Sequence, residues 1–232
     1  MSTTPNPYAA PQASAEALPE PFTRNRWVGV VLGLLAPLVT LQRGDHIAVS
    51  KRAYGWTNPL TGERLVRFAP PARGDVAVFR YPVDRDLSYV MRVVGLPGDT
   101  VRYAGKRLSI NGVELPVQEE GPVAQQNAFG GTDALVRYRE TLGKMTHAIL
   151  LDPSVPPYRS GALRDFPGRE RCRFDDGIAC NVPAEHYFVM GDNRDNSDDS
   201  RYWGFVPEED FIGRVFLVWY SRDPERAGAR VE

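Results

Sequence analysis

Short runs of apolar and β-branched residues, separated by glycine and proline, recur along the chain from Gly44 onward. Alternation of apolar and polar residues within such runs is typical of strands that bury one face. The runs are HIAVS, RLVRF, DVAVFRY, YVMRVVGL, KRLSI, VELP and FIGRVFLVWY. Asn111 and Gly112 separate two of them and give the strongest local hairpin signal in the chain. Because no long run between them has the 3.6-residue period of a helix, we predict a mainly β fold.

Changes in polarity divide the chain into segments. Residues 1–26 are rich in proline, alanine, serine and threonine, which predicts a flexible N-terminal tail. Residues 42–115 and 184–222 contain most of the strand-like runs and predict one β-rich core. Residues 116–183 are more polar and turn-rich, so we predict an irregular subdomain inserted into that core. Residues 223–232 predict a C-terminal tail.

Residues 27–41 form an uncharged, apolar segment that follows Arg24 and Arg26. The segment is shorter than the roughly 20 residues that a helix needs to cross a bilayer, and Pro37 interrupts it. Its length also fits the apolar part of an export signal. In either case the arginines would keep the N-terminus in the cytoplasm and direct the remainder outward. We expect a membrane anchor or a signal-like segment, with a buried core strand or helix as the alternative.

Charge and cysteine content narrow the classes of partner and cofactor. The 28 basic and 29 acidic side chains give a net charge of -1, which offers no electrostatic reason for a nucleic-acid partner. Cys172 and Cys180 flank a glycine-containing loop and could form a disulfide, which persists in an oxidising compartment. Two buried free thiols are the equally weighted alternative. With no CxxC pair and 3 histidines in the chain, we expect no metal site and no cofactor.

Three segments combine charged residues with glycine in a distinctive order. They are GDHIAVSKRAYGW at residues 44–56, a stretch from RGDVAVFRYP to YVMRVVGLPGDTV at residues 73–101, and GDNRDNSDDSRYWGFVP at residues 191–207. The third segment is no EF-hand calcium loop, because Ser197 and Trp203 stand where that loop needs glycine and glutamate. Together the three segments resemble the conserved boxes of the bacterial signal peptidase I family.

The resemblance implies a fold, an activity and a location. Members of this family are membrane-tethered proteases with a mainly β fold that remove signal peptides from exported proteins. They use a serine nucleophile and a lysine general base. Because ammonium has a reference pKa near 10.4, burial among apolar atoms must make that lysine neutral. We therefore expect a protein of the bacterial inner membrane whose main domain faces the periplasm.

Both catalytic positions of the family are substituted in this chain. The family's lysine directly precedes the arginine of the RVVGLPGD motif, where this chain has Met91 before Arg92. The family's serine opens a box that here reads APLVTL, so that Ala36 takes its place. A thioether cannot accept the proton and alanine has no hydroxyl. We therefore expect a pseudoenzyme; a deletion that removed the serine box is the other explanation.

Other side chains offer weak replacements for the missing pair. Thr40 is the nearest remaining hydroxyl and a weak alternative nucleophile, because no base stands beside it. Ser50 and Lys51 are neighbours on a predicted strand, so their side chains point to opposite faces. Neither route restores the serine and lysine pair by itself.

The residues that support the site in the family are retained. The resemblance implies that Ser197 would hydrogen-bond the missing lysine. It also implies ion pairs between Arg92 and Asp192 and between Asp199 and Arg201, which would hold the loops of the site. The simpler interpretation of each pair is a surface salt bridge that contributes little to the stability of the fold. Their retention predicts an intact fold.

Three functions follow as hypotheses. The first is an inactive homologue whose partners are signal peptides of exported preproteins, membrane lipid and an active paralogue. The second is an active signal peptidase I that uses non-standard residues. The third is a structural extracytoplasmic domain that binds no signal peptide.

Overall fold

The computed structural model describes residues 29–31, 41–42, 44–57, 64–126 and 132–231. As predicted, the fold is mainly β, and the described residues contain a single short α-helix, α1 (Ser200–Trp203). The strands are β1 (Gly29–Val31), β2 (His46–Ser50), β3 (Gly55–Thr57), β4 (Arg64–Arg67), β5 (Val76–Tyr81), β6 (Asp84–Gly95), β7 (Thr100–Ala104), β8 (Arg107–Ile110), β9 (Val113–Glu114), β10 (Val117–Gln126), β11 (Thr132–Leu142), β12 (Met145–Leu151), β13 (Cys172–Arg173), β14 (Ile178–Asn181), β15 (His186–Met190), β16 (Val206–Pro207) and β17 (Phe211–Tyr220). Short 3-10 turns occur at Ser160–Ala162, Arg169–Arg171, Arg194–Asn196, Glu208–Asp210 and Pro224–Arg226.

The main sheet brings the three sequence motifs together. Within the described residues its strand order is β1-β2-β17-β5-β6-β15-β16, and neighbouring strands are antiparallel. The first motif contributes β2 and the second contributes β5 and β6. β15 pairs with β6 and leads directly into the third motif. Segments far apart in the sequence therefore meet around β6.

The two faces of the main sheet bury different clusters. Side chains alternate along a strand, so Phe79 and Met91 enter one cluster, which α1 helps to cover. Val78 and Val49 enter a second cluster on the other face. Val78 and Phe79 are fully buried. A strand buried on both sides explains why the runs VAVFRY and YVMRVVG contain so few polar residues.

A second sheet has the order β13-β14-β7-β8-β9 in the part of the chain that the structure describes. Asn111 and Gly112 form the predicted two-residue hairpin, with φ of 53° and 81°. Positive φ at both positions is what a type I′ turn requires. Residues 172–181 pair through β14 with β7, so this end of the predicted insertion is part of the core sheets rather than of a separate subdomain.

The insertion is more regular than we predicted. Its first half forms an antiparallel sheet of the order β10-β11-β12, and irregular chain follows from Asp152. We did not predict this sheet, because much of β10 and β11 is exposed to solvent and polar residues occupy both faces of these strands. Gly121 and Pro122 also lie inside β10, where a register shift follows Glu119.

Most of the apolar segment at residues 27–41 lies outside the described residues. Gly29–Val31 forms β1 and pairs antiparallel with β2, while Leu41 is buried in the cluster that contains Val49. Among the residues that the structure covers, no helix is both long and apolar enough to cross a membrane.

The predicted C-terminal tail folds back on the main sheet. Arg226 binds the Asp45 carboxylate at 2.7 Å, and the backbone N–H of Val231 donates to the carbonyl of Phe216 at 3.1 Å. The backbone of residues 228–231 therefore packs beside β17 rather than leaving the fold.

Candidate functional site

Met91, which the resemblance places at the family's lysine position, lies on β6 with 4% of its surface exposed. It faces Ala77 across the β5–β6 pairing. Its cluster is lined by Tyr54, Phe79, Tyr81, Val93, Tyr187, Val189, Tyr202, Trp203, Val206 and Phe211. An amine placed in such surroundings would lose its hydration, which favours the neutral form. Position 91 therefore has apolar surroundings of the kind that would keep an amine neutral, and the side chain there is a thioether.

Arg92, the next residue, is buried among polar groups. Its Nε and Nη2 each donate to the Asp192 carboxylate at 2.9 Å. Its Nη1 donates to the carbonyl of Gly74 at 2.8 Å. Both partners of the ion pair have side chains that are 1% exposed. The pair fastens the start of the third motif to β6, as the resemblance implied.

Asp199 and Arg201 close the third motif on itself. Arg201 Nε and Nη2 donate to the two carboxylate oxygens of Asp199 at 2.8 Å. The same carboxylate accepts from the backbone N–H of Gly191 at 3.0 Å and caps the N-terminus of α1. Both ends of the loop at residues 191–201 are therefore held by one buried ion pair.

Ser197 lies within this loop and is 2% exposed. Within the part of the chain that the structure describes, its Oγ makes no hydrogen bond. Gly191 permits this packing, since a Cβ there would lie 2.3 Å from Ser197 Oγ. Burying a hydroxyl without a hydrogen-bond partner destabilises the folded state, so its presence needs an explanation. The substitution of the lysine that the resemblance assigns to this hydroxyl supplies one.

A buried network that the sequence analysis missed joins the insertion to the site. Arg194 in the third motif donates from Nη1 and Nη2 to the two carboxylate oxygens of Glu140, with the Nη1 bond at 2.8 Å. His147 Nε2 lies 3.5 Å from Glu140 and 3.7 Å from Asp192. Burial lowers the pKa of His147 to about 4, against the opposing effect of the two carboxylates. The imidazole is therefore neutral at pH 7.

Only the place of Arg194 in the charged third motif hinted at this network. Glu140 and His147 lie on neighbouring strands of the insertion sheet, where they pair in register. In the sequence they lie about 50 positions before the motif, so no local pattern connects them with it.

The remaining predicted residues have varied outcomes. Ala36 and Thr40 lie outside the described residues. Cys172 and Cys180 are joined by a disulfide between β13 and β14. None of the three lysines belongs to the apolar cluster around Met91. Lys51 and Lys144 are exposed, and Lys106 binds Asp195 at 2.8 Å.

Comparison with known proteins agrees with the motifs. The family described as signal peptidase, peptidase S26, matches residues 37–220. Signal peptidase I of Pseudomonas fluorescens is 42% identical over 193 residues, and that of Pseudomonas aeruginosa is 40% identical over 196 residues. Each alignment covers 78% of this chain and 61% of the relative, so the chain spans about three fifths of the length of these relatives.

A solved structure was also found to be similar. It is a signal peptidase I from Enterococcus faecalis, 27% identical, with a TM-score of 0.36. The match covers 63% of this chain and 97% of that one. The extent of the family match and the identity to the Pseudomonas proteins show that this chain belongs to the signal peptidase family, peptidase S26.

Proposed function

We propose that this chain recognises the signal peptides of exported preproteins at the membrane without cleaving them. The observation that carries the proposal is the buried Met91 at the position of the family's general base. A serine hydroxyl is a weak nucleophile until a base removes its proton, and Met91 cannot do so. Ala36 at the nucleophile position removes the second half of the same chemistry. Two substitutions in one catalytic pair support loss of cleavage more strongly than either would alone.

The intact surroundings of the site support continued recognition. Two ion pairs are buried in the interior, so that each buried charge lies beside an opposite one. They are Arg92 with Asp192 and Arg201 with Asp199. Such pairs are costly to break, so their retention keeps the third motif ordered beside β6. An extended peptide can then add its backbone to the edge of a sheet and place alternate side chains in pockets. Recognition of this kind requires no catalytic group.

Several features support a location at the bacterial inner membrane, with the main domain facing the periplasm. The apolar segment at residues 27–41 follows two arginines. Trp219 and Tyr220 at the end of β17 are about half exposed, and such side chains favour the membrane interface. The disulfide between Cys172 and Cys180 suits an oxidising compartment. Membrane lipid and an active paralogue are the further partners that we propose.

Restoring the missing pair tests the loss of cleavage. The chain in detergent is compared with a variant that carries Ala36→Ser and Met91→Lys, using cleavage of a reporter preprotein. We expect product from the double variant and none from the natural chain. Ala36→Ser with Met91→Leu is the matched control, because it restores the hydroxyl and keeps position 91 apolar. Cleavage by the natural chain that survives Thr40→Ala would favour the active alternative with another nucleophile.

Binding of a labelled signal peptide tests recognition separately. We expect saturable binding to the natural chain, measured by fluorescence anisotropy in detergent. The control peptide carries bulky residues in place of the small residues near its cleavage site, and we expect it to bind at least about tenfold more weakly. Equal or absent binding of both peptides would favour the purely structural alternative.

A further inference from the structure

Residues 158–164 cross over the third motif and are called the strap. They lie in the irregular chain between β12 and β13 and contain one 3-10 turn, Ser160–Ala162. The chain on either side of the strap is well fixed. The backbone N–H of Asp152 donates to Asp195 at 2.8 Å, and the ring of Phe166 packs against Gly204, where a Cβ would lie 2.3 Å away. The strap therefore connects two segments that are each held in place by contacts with the rest of the fold.

Hydrogen bonds and one ring contact hold the two ends of the strap. Arg164 donates from Nη1 and Nη2 to the Asp198 carboxylate at 2.8 and 3.0 Å, and its backbone N–H donates to the carbonyl of Tyr202 at 2.9 Å. Arg159 Nη2 donates to the carbonyl of Ser197 at 3.4 Å. The ring of Tyr158 stacks on that of Tyr202, with centroids 5.9 Å apart. All of these contacts go to residues 197–202, the part of the third motif that contains Ser197.

The strap covers apolar and polar groups of the site. Tyr158 and Ala162 pack against the cluster that contains Met91. The strap also binds the carbonyl of Ser197, whose buried hydroxyl has no hydrogen-bond partner among the described residues. Moving the strap away would therefore expose part of the apolar cluster and remove the Arg159 hydrogen bond from the loop that contains Ser197.

The Arg164–Asp198 pair is the contact best suited to release. Its side chains are 39% and 40% exposed, in contrast to the 1% exposure of Arg92 and Asp192. Exposed ion pairs contribute little to stability and weaken as salt rises. We propose that the strap is a cover latched by Arg164 and Asp198, which opens locally to give access to Ser197 and to the cluster around Met91. This device does not depend on whether the chain binds signal peptides.

Thiol labelling measures the opening directly. Both natural cysteines are bonded to each other, so a Ser197→Cys variant carries one free, buried thiol in the loop that the strap contacts. Its rate of reaction with a maleimide reports how often the strap opens. We expect Arg164→Ala or Asp198→Asn to raise the rate about fivefold, which is what an exposed ion pair is worth. Arg102→Ala, which breaks the exposed pair with Asp176 elsewhere, should leave the rate unchanged.

Two comparisons separate local opening from general destabilisation. Val78→Cys places a thiol in the cluster on the opposite face of the main sheet, and Arg164→Ala should not change its rate. Raising NaCl from about 0.05 M to about 0.5 M should accelerate labelling at position 197 with the latch intact, and much less after Arg164→Ala. Equal acceleration at positions 78 and 197, or no effect of Arg164→Ala at position 197, would overturn the proposal.

Met91→Cys provides a second reporter in case the tight packing of Ser197 against Gly191 does not tolerate sulfur. The thiol then replaces a larger side chain in the same cluster, so the variant is expected to fold. The same response to Arg164→Ala is expected at this position. An unchanged rate would show that the strap does not control access to the cluster.

Discussion

Met91 and Arg92 are adjacent on β6, and their side chains enter opposite environments. Met91 lies in an apolar cluster, whereas Arg92 makes two 2.9 Å hydrogen bonds with the buried carboxylate of Asp192. Alternation along the strand separates the two environments. The position that the resemblance assigns to the family's base thus holds a thioether, next to a buried ion pair that is intact. The predictions below follow from this contrast.

Met91→Lys should destabilise the protein in a pH-dependent way. The apolar cluster favours the neutral amine, so the pKa of the new lysine should be lower in the folded than in the unfolded state. The unfolded state then binds more protons, and stability rises as pH approaches the unfolded pKa near 10.4. We expect a loss of about 2–4 kcal/mol at pH 7 that shrinks toward pH 10. Urea unfolding of the variant and the natural chain at several pH values from about 7 to about 10 measures this difference in stability.

Met91→Leu is the control for this substitution, because it keeps the volume and introduces no titrating group. Its difference from the natural chain should not vary with pH. A lysine variant whose stability difference is equally flat would show that position 91 is accessible to water.

Removing the Asp192 carboxylate should destabilise the fold far more than removing an exposed one. Asp192→Ala leaves the buried guanidinium of Arg92 without its main partner, which costs about 3–5 kcal/mol. Asp176→Ala breaks an exposed pair with Arg102 and should cost about 0–1 kcal/mol. Urea unfolding at pH 7 compares the two variants. Similar losses would contradict the anchoring role that we assign to Asp192.

His147 should make the protein sensitive to acid. Its pKa is about 4 in the folded protein and near 6.5 in the unfolded chain, so the unfolded state gains a proton first as pH falls. This group alone should remove about 3 kcal/mol of stability as pH falls from about 6.5 to about 4. The groups that face the imidazole are Glu140, Asp192, Arg92 and Arg194.

His147→Asn should flatten that part of the stability profile, since the amide does not titrate. The difference between the natural chain and the variant should therefore change across this pH range, which urea unfolding at several pH values measures. Parallel profiles for the two proteins would mean that the imidazole titrates normally in the folded state.

Gly191 should resist substitution because of Ser197. A Cβ at position 191 would lie 2.3 Å from Oγ and 2.8 Å from Cβ of Ser197, so Gly191→Ala should cost about 1–3 kcal/mol. Adding Ser197→Ala removes the closer contact and should recover part of the loss. Gly161→Ala is the control, because no atom lies within 4 Å of the added carbon. Thermal unfolding compares the natural chain, Gly191→Ala, the double variant and Gly161→Ala. A double variant that is no more stable than Gly191→Ala would contradict this packing.

The core strands could be predicted because each combines local alternation with burial. β2 and β17 coincide with the predicted runs HIAVS and FIGRVFLVWY. β10 and β11 could not be predicted in the same way, because polar residues occupy both of their faces. Alternation appears in a sequence only where one face of a sheet is buried.

The site was predictable where its residues share a motif and not where topology brings them together. Arg92, Asp192, Asp199 and Arg201 belong to motifs that the sequence displays, and the structure pairs them. Arg164 and Asp198 meet through an irregular segment, so no spacing in the sequence indicates their contact. Ser197 could be named from its motif, but only the fold shows that its hydroxyl is buried without a hydrogen-bond partner among the described residues.

The most direct test of the central claim is prolonged incubation of the natural chain with a reporter preprotein in detergent, between pH 7 and pH 10, with products identified by mass spectrometry. A Pseudomonas aeruginosa signal peptidase I at the same concentration serves as the positive control. We predict that the control releases the signal peptide and that the natural chain releases none at any pH, because neither Met91 nor Ala36 supplies the chemistry. Release of the signal peptide by the natural chain, abolished by denaturing it beforehand, would contradict the account.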